Sequence, residues 1–313
     1  MFDGFKLQLP YFIKDSLLNN PLLEFKGKFS LKNGDLQTEK LIAKYPVESE
    51  KPLLTFIIKG NYIELIGSFH KYWQHGTNFQ DYTFTDLVNT ILELQNKFGL
   101  NPNECLLHNL EIGLNFELLY LNANEFLNNC MLYKCHTFDS ELFSSKGNQK
   151  RAKLAQYQVK IYNKGLQNLL SENLIRIELK IKKMALIGNA TLADITNLKF
   201  IEKASFQLLD VWNAVIYWEK IDSQNKVSKP IEKLLYNWGN SKYLHELVNN
   251  QRKLKYEREK YRKIIKENCS KSVHNQIQEM MFEKLLEFSN EANQKNCTDF
   301  TKIMPHRQIA FQM

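Results

Sequence analysis

Leu174-Ile-Arg-Ile-Glu-Leu-Lys-Ile-Lys182 decides the fold, because from Ile175 to Lys182 apolar and polar residues alternate without a break. Ile177, Leu179 and Ile181 fall on one side, and Arg176, Glu178, Lys180 and Lys182 on the other. A period of two is that of a strand with one face in a core and one face in a polar setting. Two upstream segments repeat the design. In Leu106–Phe116, Leu110, Ile112 and Leu114 oppose Asn109, Glu111, Gly113 and Asn115; in Tyr157–Tyr162, Tyr157, Val159 and Ile161 oppose Gln158, Lys160 and Tyr162. Asn61–His70 behaves alike, with Ile63, Leu65, Gly67 and Phe69 against Glu64, Ser68 and His70. Four such strands predict an α+β protein with a central antiparallel or mixed β-sheet, helices on its apolar side and an open polar face on the other.

Outward from these strands, the first 75 residues are short β-branched and aromatic runs broken by turn chemistry at Lys32-Asn-Gly-Asp35, Lys51-Pro52 and Lys59-Gly-Asn61, which predicts antiparallel strands. Asp86–Phe98 carries apolar residues at helical spacing and stops at Gly99, with Pro102 beyond. Past Met184 the pattern becomes helical, and the spacing predicts helices over Ala190–Lys203 and Ser205–Ile221. The polar stretch Asp222–Lys229 before Pro230 reads as a linker. The expected organisation is therefore a catalytic region over 1–225 and a basic helical region over 226–313.

With 313 residues, 43% of them hydrophobic, the chain is long enough to bury a substantial core. No apolar run approaches the ~20 residues that span a bilayer, and the N-terminus lacks the basic and apolar regions of a secretory signal. The expectation is a cytoplasmic protein with no membrane partner. The five cysteines are odd in number and show no two-residue gap of a zinc knuckle, so they read as reduced thiols.

The net charge of +8 is unevenly placed: residues 226–313 hold 17 Lys and Arg against 10 Asp and Glu, leaving +1 for everything before. Eight of those cations, Arg252, Lys253, Lys255, Arg258, Lys260, Arg262, Lys263 and Lys266, lie in one run with Tyr256 and Tyr261 interleaved. A concentrated positive excess attracts a polyanion, since each neutralised phosphate releases condensed counterions. The bland alternative is a solvated helix face. Lys160, Arg176 and Lys180 add cations to the polar face of the sheet.

That face also carries Glu111, Tyr162 and Glu178. Cleaving a phosphodiester needs a nucleophile in line with the leaving oxygen, positive charge on the non-bridging oxygens and a route for the hydroxyl proton. A phenol can be the nucleophile once activated. Carboxylates such as Glu111 and Glu178 are oxygen ligands of the kind that Mg2+ or Mn2+ prefer, with His70 as a third candidate. Lys164 lies on the side of Tyr162 if the strand continues. Each residue has a plainer account as well: a cross-strand ion pair for the glutamates, strand packing for the tyrosine, a hydrogen-bonded histidine. Spacing alone does not choose.

The local wording does choose. Val159-Lys-Ile-Tyr-Asn-Lys-Gly-Leu-Gln167, followed by Asn173-Leu-Ile-Arg-Ile-Glu-Leu-Lys-Ile-Lys-Lys-Met184, resembles the rolling-circle replication initiators of small staphylococcal plasmids and the related filamentous-phage gene II/X replication proteins. Gly67-Ser-Phe-His-Lys-Tyr72, Phe84-Thr-Asp-Leu87 and Leu110-Glu-Ile-Gly-Leu-Asn-Phe116 match the family's order of strand, helix and acidic strand, so the resemblance spans 61–184. It implies Tyr162 as the nicking residue and Glu178 as a metal ligand. Asn109 and Asn115 stand where the family commonly has charged residues, and there is no His-hydrophobic-His motif.

The resemblance thus implies an initiator that nicks and rejoins origin DNA through a phosphotyrosine, using Mg2+ or Mn2+. Its partners would be single- and double-stranded origin DNA, a host helicase and a DNA polymerase, with a homodimer as a plausible assembly. The rival readings are a DNA-binding initiator without chemistry, a relaxase of a mobile element using the same residues, and a basic structural protein.

Overall fold

The computed structural model of the chain describes residues 1–32, 35–47, 49–143, 147–171, 173–222 and 224–296. The protein folds as two compact units, each assembled from separated stretches of sequence: Met1–Ile112 with Ile181–Ser205 and the chain from Lys284, and Gly113–Lys180 with Phe206–Glu283. Neither unit ends at residue 225, where composition places the boundary.

In the first unit, β1 (Phe2–Leu9) pairs antiparallel with β5 (Tyr62–Ser68) on one side and β6 (Leu106–Glu117) on the other. The order continues outward from β5 through β4 (Leu54–Lys59), β3 (Asp35–Tyr45) and β2 (Lys26–Lys32), all antiparallel. The apolar residues of β1, β4 and β5 are buried at alternate positions, as a sheet with one covered face requires. After the short α1 (Lys14–Leu18) and α2 (Phe69–Trp73) comes α3 (Phe84–Phe98). Thr83 and Asp86 close a capping box at its start, and Gly99 takes the left-handed conformation at its end (φ 65°), where a side chain would be strained. Phe98 meets Phe56 and Tyr45 at ring-centroid distances of 5.0 and 5.3 Å, which seats α3 on the sheet.

The strand expected over Asn61–His70 is shorter. β5 ends at Ser68, whose hydroxyl accepts a hydrogen bond from the Lys71 amide at 3.0 Å and so caps α2. His70 consequently sits on a helix and not on a strand face. Its ring is buried and stacks on Tyr82 at 4.9 Å.

The second unit takes the far half of β6 and orders it beside β12 (Leu174–Ile181), β11 (Tyr157–Asn163), β10 (Gly147–Lys153) and β9 (Asp139–Phe143). The three period-two segments of the sequence are thus β6, β11 and β12. Here α4 (Ala123–Asn129) leads into a small antiparallel sheet of β7 (Cys130–Tyr133), β8 (His136–Thr137) and β13 (Val215–Tyr217). The two helices expected over Ala190–Lys203 and Ser205–Ile221 are one, α6 (Leu198–Ala214). The Asn197 side chain accepts from the Lys199 amide and starts it late. Val215-Ile216-Tyr217 ends it, a β-branched and aromatic run that pairs with β7 instead.

Three short-linked helices follow: α7 (Lys229–Trp238), α8 (Ser241–Val248) and α9 (Gln251–Asn268). Leu234, Trp238, Leu244, Leu247, Leu254, Tyr261, Ile264 and Ile265 form one apolar cluster with Leu132 and Ile216. The basic helix is therefore not cationic all round. Leu254, Tyr261 and Ile265 follow a spacing of seven and four residues and make a buried seam. The Tyr261 hydroxyl locks the seam, donating to the Tyr217 carbonyl and accepting from the Glu219 amide, each at 2.9 Å. Last comes α10 (Val273–Asn296), whose Glu291 accepts from the Phe84 and Thr85 amides and caps α3 within the first unit.

Trp238 is wholly buried at the centre of the helical cluster. Trp238→Ala is expected to lower unfolding stability by about 3–5 kcal/mol, read from urea denaturation of the full chain. A change within error would show that the three helices do not share a packed core.

Candidate active site

Glu178 lies on the polar face of β12, yet it is 3% exposed, and its strand neighbour Arg176 is 2% exposed. A carboxylate withdrawn this far from water stays ionised only among donors. Its donors include Lys160 Nζ, which donates to Oε1 at 2.5 Å, and Arg176 Nε and the Tyr162 hydroxyl, which both donate to Oε2 at 3.3 Å. The alternation read from the sequence explains the grouping. Lys160 and Tyr162 are two residues apart on β11, Arg176 and Glu178 two apart on β12, and β11 and β12 are neighbours.

Two further residues fix the arginine. Its Nη1 donates to Asn115 Oδ1 at 2.9 Å, and Gly113 leaves the room it needs, because a Cβ there would lie 3.0 Å from Nη2 and 3.0 Å from the Ile177 carbonyl. A glycine inside a strand commonly marks such a close approach. Asn115 and Gly113 carry no charge, and their part in the site was not legible from residue type; the glycine was the available signal.

Lys164 reaches Tyr162 by another geometry than a continued strand. β11 stops at Asn163, whose side chain accepts from the Leu166 amide at 2.8 Å and caps the short α5 (Lys164–Gln167). The lysine is buried, its ammonium lies 5.6 Å from the centre of the Tyr162 ring, and it donates to Gln167 Oε1 at 3.0 Å. A cation over the ring face favours negative charge on the phenol oxygen. Lys180 continues the polar face of β12 and is partly exposed.

Glu111 and His70 belong to the first unit. Glu111 lies across Gly4, where an added Cβ would approach its Oε2 to 2.6 Å. His70 packs on the Tyr82 ring, with the ring centroids 4.9 Å apart. Among the described residues no three His, Cys, Asp or Glu side chains gather as a metal-ligating group. Both oxygens of Glu178 accept from lysine, arginine and phenol donors.

Of the basic run, Arg252, Lys253, Lys255, Lys260 and Lys263 are exposed on α9. Arg258 is partly covered, and Arg262 Nη2 donates to the Asn213 carbonyl at 2.6 Å. Tyr256 is exposed and Tyr261 buried. A second tyrosine cluster stands apart from Tyr162: Lys134 Nζ donates to the Tyr157 hydroxyl at 2.9 Å, and that hydroxyl lies 3.0 Å from the Tyr133 hydroxyl, which burial pushes well above the ordinary phenol range. Among the described residues no helix is long and apolar enough to cross a membrane.

No protein-family model and no curated protein matches the chain. Among solved structures, the rolling circle replication initiator protein from Geobacillus stearothermophilus aligns with a TM-score of 0.43 and 10% identity, over 76% of this chain and 96% of that one. A likeness of that degree identifies no activity.

Removing one partner from a buried ion pair leaves the other charge stranded, which costs about 3–5 kcal/mol. Arg176→Met is expected to fall in that range by urea denaturation. Arg176→Met combined with Glu178→Gln should cost clearly less than the sum of the single changes. Simple additivity would show that the two side chains are not energetically coupled.

Proposed function

We propose that this protein is a rolling-circle replication initiator that nicks and rejoins origin DNA by tyrosine transesterification. The observation that carries the reading is the hydrogen bond from the Tyr162 hydroxyl to the buried carboxylate of Glu178, within a ring of Lys160, Arg176 and Lys164. A phenol needs a proton acceptor within reach before it can attack phosphorus, and a phosphodiester needs cations at its non-bridging oxygens. One small region offers both.

In the proposed step, the Tyr162 oxygen bonds to the scissile phosphorus and the bond from phosphorus to the 3′ oxygen breaks. The phenol proton passes to Glu178, and the departing 3′ oxygen takes up a proton to become a 3′ hydroxyl that a polymerase can extend. The downstream strand remains joined to Tyr162 through its 5′ phosphate. In the reverse direction a 3′ hydroxyl attacks the phosphotyrosine and the phenol regains its proton. A carboxylate is far too weak a base to ionise a free phenol beforehand. The proton therefore moves as the oxygen–phosphorus bond forms, and the cations carry the charge that develops.

The exposed cations of α9 support a second contact, with duplex DNA flanking the cleaved strand. Because Leu254, Tyr261 and Ile265 anchor the helix, its outer face is held in a fixed orientation, which favours a defined docking over loose attraction.

The test of the chemistry is incubation with single-stranded origin DNA labelled at its 3′ end, with Mg2+ or Mn2+ present and absent. A covalent adduct is expected with the parental protein and none with Tyr162→Phe, whose DNA affinity should stay within a few-fold. Glu178→Gln should slow adduct formation by ~100-fold or more. An adduct that persists in Tyr162→Phe would move the nucleophile elsewhere, and Tyr157 with its Lys134 partner would be the next residue to change.

The helix is tested separately. Changing Arg252, Lys255, Lys260 and Lys263 to Gln should weaken duplex binding and flatten the slope of log K against log salt by ~0.9 for each phosphate that the helix no longer neutralises. The weakening should be similar on origin and random duplexes if the helix touches phosphates alone. An unchanged slope would make the run a solvated face.

A further inference from the structure

A cavity of about 500 Å3 opens in the second unit between β13 and the helices α9 and α10, away from Tyr162 and Glu178 in residue content. Its walls differ in chemistry. Val215, Tyr217 and Ile265 line it with apolar surface, whereas Arg262 and Lys266, one turn apart on α9, line it with positive charge. Gln278 and Asn275 on α10 add amide groups.

The single acid in the lining, Glu219, does not neutralise those cations. Its carboxylate is buried and accepts from the Ser272 hydroxyl at 2.7 Å and from the Val273 and His274 amides at 3.2 and 2.8 Å. It is spent on the first turn of α10, so the amides there are not available to a ligand either. Among the described residues no carboxylate pairs with Arg262 or Lys266. Arg262 is held in place by its bond to the Asn213 carbonyl. His274 adds no charge near neutral pH, since burial lowers its pKa and its ring is stacked on Trp212 at 4.8 Å.

Two cations, one of them held by the Asn213 carbonyl, stand beside an aromatic and aliphatic wall, and in a cavity of a size that holds small organic ligands (about 300–1,000 Å3) they call for a compact anion with a flat apolar body. We propose that this pocket binds a nucleoside monophosphate, with the phosphate on Arg262 and Lys266 and the base against Tyr217, Val215 and Ile265. The same chemistry is presented by a free nucleotide and by a nucleotide turned out of a DNA strand. The site stands independently of the nicking reaction, because none of its residues belongs to the Tyr162 cluster.

The experiment is calorimetric titration of the full chain with dAMP, with inorganic phosphate and with deoxyadenosine. Binding of dAMP is expected to exceed that of either fragment by roughly tenfold or more, as two joined contacts should. Lys266 is exposed and makes no bond that the fold needs, so Lys266→Glu should abolish dAMP binding at an unchanged melting temperature. Gln278→Trp, which fills the cavity from α10 and leaves the cations intact, should do the same. Displacement of dAMP by a short single strand would identify a strand nucleotide as the occupant; no displacement would identify the free nucleotide. Failure of dAMP to bind at millimolar concentration, phosphate binding as tightly as dAMP, or undiminished binding in both variants would overturn the proposal.

Discussion

The buried carboxylate of Glu178 is the constraint on which the second unit's sheet depends. At 3% exposure it has given up almost all of its hydration, and ionised carboxylates tolerate this only where donors replace the lost water. Lys160, Arg176 and Tyr162 supply them from two neighbouring strands, which ties the pairing of β11 and β12 to the polar face as well as to the apolar one. A slip of one residue in that pairing would turn Val159 and Ile161 toward the polar side and Lys160 and Tyr162 into the core. The ion cluster and the hydrophobic face thus penalise the same error. Arg176 extends the effect to β6, since Asn115 receives its second donor and Gly113 gives its plane room.

The helical part of the same unit solves a different problem. A run with eight cations in fifteen residues has little apolar surface with which to fold, and an isolated helix of that composition would gain little from packing. The chain compensates by spacing its few large apolar residues so that they fall on one stripe, and by giving that stripe partners from α7, α8 and β13. Tyr261 carries much of this function, with a ring against Trp238 and a hydroxyl bonded at both sides to the backbone of β13 and the residues after it. The cations that face outward then need no partners within the protein.

Much of this was legible in the sequence, and the reasons are local. Period two in β6, β11 and β12, and the helical spacing of α3 with its stop at Gly99, are signals written within a few residues, and they appear where the pattern puts them. What was not legible depends on competition between local and distant partners. Alternation continues past Ser68, but the Ser68 hydroxyl finds the Lys71 amide and converts the next residues to a helix, carrying His70 off the strand. The same event at Asn163 lifts Lys164 onto α5, and Asn197 delays α6. In all three cases a short polar side chain satisfied a helix amide, an interaction that hydrophobic periodicity does not register. The depth of Arg176 and Glu178 was also hidden, because alternation distinguishes two faces without saying whether the polar one is dry.

That dryness bears on the chemistry more than the identity of the residues does. On an open platform, Lys160 and Arg176 would be screened by water and would do little for a charged transition state. Around a buried carboxylate they act at low effective dielectric and cannot reorient freely, which is the condition under which fixed charges lower a barrier. The same condition limits the carboxylate, whose negative charge is already balanced by its donors before any phosphate arrives. Under the proposed reaction, an incoming phosphodiester would compete with Glu178 for Lys160 and Arg176. Its binding would loosen the donors' hold on the carboxylate and make it a better proton acceptor at the moment Tyr162 needs one. In the proposed reaction, substrate binding and base strength would be coupled through two shared cations, which no one of these residues could do alone.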